Sequence, residues 1–141
     1  VDVMNYCMNK ITLATFSYLD VGSEGAGNQE PERFYHGFVL GLIADQTDIY
    51  EIMSNRESGF GRYDVMMVPK EREKTKIPAI ILEFKVKNNK KEQKLEETVQ
   101  SALVQIKEKN YDAELLARGI PKEKIRHYGF AFEGKNVLIG S

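Results

Sequence analysis

Gly-Arg-Tyr-Asp-Val-Met-Met-Val-Pro, at residues 61–69, and Ala-Ile-Ile-Leu-Glu-Phe-Lys-Val, at residues 79–86, are two apolar, β-prone stretches separated by a polar loop. This pattern predicts two strands joined as a hairpin. Each predicted strand carries charge, with Asp64 in the first and Glu83 and Lys85 in the second. Because side chains alternate along a strand, Glu83 and Lys85 share one face. Burial of charge among apolar neighbours is costly unless something compensates it.

These charged residues allow two interpretations. Two carboxylates and a lysine that meet at one point would form a divalent-metal site with a cation beside it. The alternative is a half-exposed sheet in which Glu83 and Lys85 are solvated or paired, and for an isolated Glu-x-Lys this is the more common case. Other features of the sequence are needed to choose between these two interpretations.

Composition restricts the class of protein. The 141 residues fit one domain that is large enough for a hydrophobic core, and 42% hydrophobic with 29% charged residues is typical of a globular protein. A formal net charge of -1 argues against coating nucleic acid by bulk charge but allows a local basic patch.

The expected location is the cytoplasm. A single cysteine, Cys7, excludes a disulfide framework and fits a reducing compartment. No apolar run is long enough to cross a membrane, and no signal-peptide pattern opens the chain. Because the sequence begins at Val1, we expect it to be a fragment of a longer protein.

The predicted organisation is an N-terminal helical segment (1–21), a glycine-rich linker (22–30) and a core (31–141) within one domain. Apolar periodicity, proline positions and turn residues predict the elements. Helices are expected at Val3–Leu19, Pro31–Ala44 and Glu92–Arg118, and strands at Asp48–Ser54, 61–69, 79–86, Lys124–Glu133 and Asn136–Ile139, with a hairpin loop at 70–76. The order α-α-β-β-β-α-β-β predicts an α/β fold with a central mixed sheet of about five strands, flanked by helices and closed by a right-handed crossover.

The second predicted helix carries two polar residues of interest. Glu32 lies in the first turn, where the helix dipole favours a carboxylate whatever its function. His36 follows one turn later on roughly the same side, and we interpret it as a polar surface residue. Gly37 and Gly41 lie four residues apart and suggest close packing against a neighbouring element.

A basic run follows the second strand of the hairpin. It comprises Lys87, Lys90, Lys91 and Lys94. A charge run is usually a solvated face. This one leaves the strand that carries Glu83 and Lys85, which favours contact with phosphate groups.

Taken together, these residues resemble the PD-(D/E)XK nuclease superfamily. Asp64 at a strand start and Glu83-Phe84-Lys85 after an apolar run are similar to its signature, with Tyr63-Asp64 in place of Pro-Asp. Several longer segments resemble a bacterial family in which this domain follows an AAA-type ATPase-like domain. These segments are Pro31–Gly37, Ser54–Gly59, Gly61–Asp64, Ile81–Lys85 and Ala113–Ile120, and the resemblance spans about residues 22–140.

The resemblance implies a restriction-endonuclease-like core and roles for individual residues. Asp64 and Glu83 would hold Mg²⁺, for which Mn²⁺ would substitute, and Lys85 would be the catalytic lysine. The backbone carbonyl of Phe84 would be a third ligand, and Glu32 would complete the metal site or hold a second ion.

Further residues are implied by the same resemblance or lie beside the motif. Gln105 and Tyr111 resemble a Gln and a Tyr on the helix that follows in exonuclease-like members, although in a regular helix they would not share a face. Arg56 and Arg62, on the loop before Asp64, would bind flanking phosphates together with the lysine run.

The implied function is Mg²⁺-dependent hydrolysis of phosphodiester bonds, with DNA as the substrate. The implied partners are DNA and the ATPase-like domain of the same chain, and homodimers are common in this fold class. Two alternatives stay open: an inactive nucleic-acid-binding domain, or a regulatory domain of the ATPase-like protein. No P-loop, Gly-x-Ser-x-Gly elbow or zinc-type Cys/His spacing supports another enzyme class.

Overall fold

A computed structural model of the chain describes residues 1–16, 29–71 and 76–141, without the side chains of residues 29 and 30. The predicted linker lies outside the described residues except for its last two positions. The predicted C-terminal end of the first helix, at Leu19, lies outside them as well. No helix in the described ranges combines the length and apolarity that crossing a bilayer would require.

Helices and strands follow the predicted order, with additions. The helices are α1 (Asp2–Thr15), α2 (Gln29–Ile43), α3 (Leu95–Glu108) and α4 (Asp112–Ala117), with short 3₁₀ turns at Ala44–Asp48 and Lys122–Lys124. The strands are β1 (Tyr50–Ser54), β2 (Glu57–Ser58), β3 (Gly61–Arg62), β4 (Val65–Pro69), β5 (Ala79–Val86), β6 (Ile125–Glu133) and β7 (Asn136–Gly140).

The main sheet is mixed and five-stranded, in the order β1-β4-β5-β6-β7. Strands β4 and β5 are antiparallel, which confirms the predicted hairpin. Strands β5 and β6 are parallel, as expected for a connection that contains helices, and the other two neighbouring pairs are antiparallel. A separate two-stranded hairpin, β2–β3, lies outside this sheet. The predicted mixed sheet flanked by helices is therefore confirmed.

Apolar residues cover both faces of the sheet. On one face, Leu82 and Phe84 of β5 belong to a core cluster with Tyr35 of α2. On the other face, Ile81 packs in a cluster with Ile106 of α3. Alternation along β5 therefore places Glu83 and Lys85 on the α3 side, opposite Leu82 and Phe84, as predicted.

Several predicted boundaries are wrong, and two of the differences affect the residues of interest. Asp64 does not lie within a strand, because β4 begins one residue later at Val65. The long helix predicted to end at Arg118 breaks after Glu108, where Asn110 adopts a left-handed φ of 51°. Asn tolerates this conformation better than most residues, so the chain can turn and begin α4 in a new direction.

The predicted close packing at two helix glycines is also wrong. Gly37 and Gly41 of α2 are exposed, and apart from the chain neighbours and the backbone of α2 itself, no described atom lies within 4 Å of the position that a Cβ would take at either residue. Helix α2 instead buries Tyr35 and Val39 in the core.

Helix α1 covers the free edge of the sheet at β7. The Asn5 amide donates to the Ile139 carbonyl at 2.9 Å and accepts from the Ile139 N–H at 2.7 Å. Asn9 makes the same pair of hydrogen bonds with Val137, at 2.7 and 3.0 Å. Two asparagines one helical turn apart thus take the place of a neighbouring strand and protect an edge that could otherwise pair with another chain.

The double variant Asn5→Ala/Asn9→Ala should lower the free energy of unfolding by roughly 2–4 kcal/mol, since four hydrogen bonds at about 1 kcal/mol each are lost. It should also self-associate through the exposed β7 edge. Urea denaturation and sedimentation velocity measure the two effects. Lys10→Ala, on the exposed face of the same helix, is the control. A double variant that is monomeric and as stable as this control would show that α1 does not protect the edge.

Candidate active site

Asp64 and Glu83 are brought side by side by the pairing of β4 with β5. Val65, the residue after Asp64, is the Cα partner of Leu82, the residue before Glu83. The Phe84 backbone N–H donates to Asp64 Oδ2 at 2.7 Å and fixes the orientation of that carboxylate. The two acids of the signature therefore lie at one point of the sheet although 19 positions separate them in the sequence.

Gln105 of α3 connects Glu83 and Lys85. Its side-chain carbonyl accepts from Lys85 Nζ at 2.7 Å, and its amide nitrogen donates to Glu83 Oε1. Helix α3 can approach because Gly129, the Cα partner of Glu83 in β6, has no side chain. A Cβ at Gly129 would lie 2.9 Å from the Val99 carbonyl oxygen.

Tyr111 reaches the same network because the helix breaks before it. The Gln105 amide nitrogen lies 3.1 Å from the Tyr111 hydroxyl oxygen, to which it donates, and the hydroxyl donates to the Arg62 carbonyl at 2.8 Å. In an uninterrupted helix Gln105 and Tyr111 would lie on different faces. The turn at Asn110 thus brings the two predicted residues together.

Glu83 is the most perturbed acid of the site. Its residue is 3% exposed, and Oε2 has no hydrogen-bond partner among the described residues. Burial and then the charge of Asp64 raise the pKa of Glu83 to about 8, against the opposing effect of Lys85. Burial also raises the pKa of Asp64, opposed by the Phe84 N–H and by Lys85. A buried carboxylate oxygen without a protein partner is a group that a bound cation can satisfy.

Helix α2 adds two further groups to the site. Burial and then the charge of Asp64 raise the pKa of Glu32, against the opposing effects of Lys85 and His36. His36 donates to or accepts from Ser54 Oγ at 2.7 Å, and its Nδ1 lies 4.0 Å from Asp64 Oδ1.

The interpretation of His36 as a surface residue is wrong, because its side chain is 13% exposed. Burial lowers the pKa of His36, although Glu32 opposes this effect. The available sequence signal was its position four residues after Glu32, which places both side chains on the same side of α2.

The acids fit a hard divalent cation rather than a ligand-rich metal cluster. Among the side chains that the structure describes, no group of three or more His, Cys, Asp or Glu residues is arranged to hold a metal. Mg²⁺ needs only one or two carboxylates and keeps several waters, so Asp64 and Glu83 with its unpartnered oxygen suit it. Phe84 contributes its N–H to Asp64, and the role of its carbonyl as a ligand stays a prediction.

The predicted phosphate-binding cations differ in availability. Lys87 donates to Glu133 at 2.7 Å and is 12% exposed, so its charge is partly compensated. The remaining five are exposed and form no ion pair with an acid among the described residues; these are Arg56, Arg62, Lys90, Lys91 and Lys94.

Comparison with known proteins gives one finding. A family model described as the PD-(D/E)XK nuclease superfamily matches residues 30–141, which include every predicted site residue and exclude α1. A search of curated proteins finds no match to this chain.

Proposed function

Because the chain belongs to the PD-(D/E)XK nuclease superfamily, we propose that it is a Mg²⁺-dependent nuclease that hydrolyses phosphodiester bonds of DNA. The observation that carries this proposal is the buried carboxylate of Glu83. Among the described residues its oxygen Oε2 has no hydrogen-bond partner, while its other oxygen accepts from Gln105 beside Asp64 and Lys85. A merely structural ion pair would leave no buried carboxylate oxygen unsatisfied.

Asp64 and Glu83 are the proposed metal ligands, with Mn²⁺ as a substitute for Mg²⁺. The Phe84 carbonyl would be a third contact, and Glu32 would complete the site or hold a second ion. When bound, a divalent cation lowers the pKa of a water molecule and offsets the negative charge that builds up on the phosphoryl oxygens.

Lys85 is the proposed catalytic lysine. Gln105 holds its ammonium group on the same face as Glu83. There it can donate to the attacking water and stabilise the developing negative charge on the phosphate. Gln105 and Tyr111 act as positioning residues, since one amide orients both Glu83 and Lys85 and the Tyr111 hydroxyl holds that amide.

The exposed cations support binding of the phosphates on either side of the scissile bond. Arg56 and Arg62 flank the β2–β3 turn that precedes Asp64 in the chain, and the lysine run follows β5. Contacts of this kind fix the register of the nucleic acid without reading its sequence.

Further proposals concern the full-length protein. On the basis of the family resemblance, we propose that it is bacterial, that an AAA-type ATPase-like domain precedes this domain in the same chain, and that it forms the homodimer common in this fold class. The single cysteine supports a reducing compartment such as the cytoplasm. Exposed apolar side chains on α1, Val3, Tyr6 and Leu13, support docking against another domain.

A cleavage time course tests the proposed function. The protein is incubated with labelled single-stranded DNA, duplex DNA and RNA in Mg²⁺, in Mn²⁺ and in EDTA. We expect cleavage of DNA in either metal and none in EDTA. Tight binding of nucleic acid without cleavage in either metal would favour the inactive binding domain instead.

A further inference from the structure

Phe60 is an exposed aromatic residue close to the candidate active site. It is 78% exposed, the largest exposed fraction of any large hydrophobic residue in the described part of the chain. It occupies the second central position of the two-residue turn between β2 and β3. Gly59 precedes it with a φ of +60°, as a type II′ hairpin turn requires.

The backbone of this turn is held firmly against the junction of α3 and α4. The Phe60 N–H donates to the Lys109 carbonyl at 2.7 Å, and Ser58 Oγ donates to the Tyr111 carbonyl at 2.8 Å. A Cβ at Gly59 would lie 2.2 Å from the Lys109 carbonyl oxygen, so only glycine allows this approach. An aromatic ring is thus presented to solvent from a rigid support.

Three cations lie on or beside the hairpin that carries the ring. Arg56, Arg62 and Lys109 are exposed, and none forms an ion pair with an acid among the described residues. The Lys109 side chain lies against Gly61, at 3.2 Å from where its Cβ would be. One acid, Glu57, is the cross-strand partner of Arg62, so the hairpin and Lys109 together keep an excess of positive charge.

The hairpin is directly connected to the catalytic network. Tyr111 donates to the Arg62 carbonyl and accepts from Gln105, which contacts both Glu83 and Lys85. Asp64 follows Phe60 by four residues, so their Cα atoms lie within about 14 Å of each other. The ring is therefore carried by a hairpin whose backbone is hydrogen-bonded to the candidate active site.

We propose that Phe60 is a base-stacking residue and that the substrate has an unpaired base next to the scissile phosphate. Arg56, Arg62 and Lys109 contact the phosphates of the same strand. Stacked bases and a basic groove are the usual means of binding single strands without sequence preference. In an uninterrupted duplex both faces of each base are already covered, so single strands and frayed ends are preferred. This inference rests on the proposed function and adds its substrate class.

Binding without catalysis tests the inference first. A single-stranded oligonucleotide that contains the fluorescent base 2-aminopurine is titrated in EDTA with the parent, Phe60→Ala, Phe60→Leu and Phe60→Trp. We expect the parent and Phe60→Trp to bind with similar affinity, and Phe60→Ala and Phe60→Leu to bind about ten- to a hundred-fold more weakly. Tyr6→Ala, which removes an exposed aromatic residue of α1, is the matched control and should bind like the parent.

Cleavage separates this inference from the proposed function. Phe60→Ala should lose the preference for single strands over closed circular duplex that the parent shows. A parent that cuts no nucleic acid in any metal would contradict the proposed function. The binding titration would still test whether Phe60 contributes to the binding of single strands. If the parent cuts and Phe60→Leu binds and cuts single strands as the parent does, the inference is wrong and the function stands. If Phe60→Ala changes only the self-association of the protein, the ring forms a protein–protein contact, and the inference is wrong as well.

Discussion

Replacing Lys85 by methionine should lower the rate of DNA cleavage about 100- to 1,000-fold and leave the fold intact. Methionine keeps an unbranched, apolar chain of similar length but removes the ammonium group. That group is the cation that Gln105 holds beside Glu83. Because it would stabilise charge that develops only in the transition state, its loss should appear in kcat rather than in substrate affinity.

The measurement is a single-turnover rate in Mn²⁺, accompanied by calorimetric titration of Mn²⁺. Metal binding should persist in Lys85→Met because both proposed ligands remain. Lys94→Met is the matched control, since Lys94 is an exposed lysine of the basic run and its loss should weaken binding without a comparable loss of kcat. A Lys85→Met variant that cuts like the parent would remove Lys85 from the catalytic machinery.

Replacing Glu83 by glutamine should abolish cleavage and stabilise the metal-free protein. The pKa of Glu83 is about 8 in the fold, against an ordinary value of 4.5. Between these values the folded protein holds a proton that the unfolded chain has lost. The free energy of unfolding therefore falls as pH rises from about 4.5 to about 8. Glutamine cannot lose this proton, so above pH 8 the variant should be more stable than the parent by on the order of 5 kcal/mol.

Urea denaturation in EDTA at a series of pH values measures this effect. At pH 4 the parent and Glu83→Gln should be similar, and the difference should grow with pH. Glu108→Gln, an exposed acid at the end of α3, is the control and should show no such divergence. A Glu83→Gln variant that is less stable than the parent at every pH would make Glu83 a structural residue.

Most of the fold follows from local sequence signals. The apolar alternation of β5 and β6 and the periodicity of α2 are strong local patterns, and the order of elements limits the possible sheets. The break between α3 and α4 escaped prediction because it is set at one residue, the left-handed Asn110, which leaves no periodic signal. The β2–β3 hairpin packs against this junction through Phe60 and Ser58, and only the three-dimensional structure brings those residues to it.

The site was partly predictable for a similar reason. The signature acids and the lysine are recognisable because their spacing reflects two neighbouring strands. The connection from Gln105 to Tyr111 depends on one left-handed residue, Asn110, and the approach of His36 to Asp64 depends on how α2 packs. Neither contact produces a periodic pattern in the sequence, so both can be recognised only in the three-dimensional structure.

Asp64 is the residue on which the proposed metal-dependent phosphodiesterase site depends most. The most direct test compares initial rates of cleavage of labelled single-stranded DNA in Mn²⁺ by the parent and by Asp64→Asn, with circular dichroism to verify folding. We expect cleavage by the parent that EDTA stops, and no detectable cleavage by the folded variant. Equal rates for the two proteins, or cleavage that persists in EDTA, would contradict it.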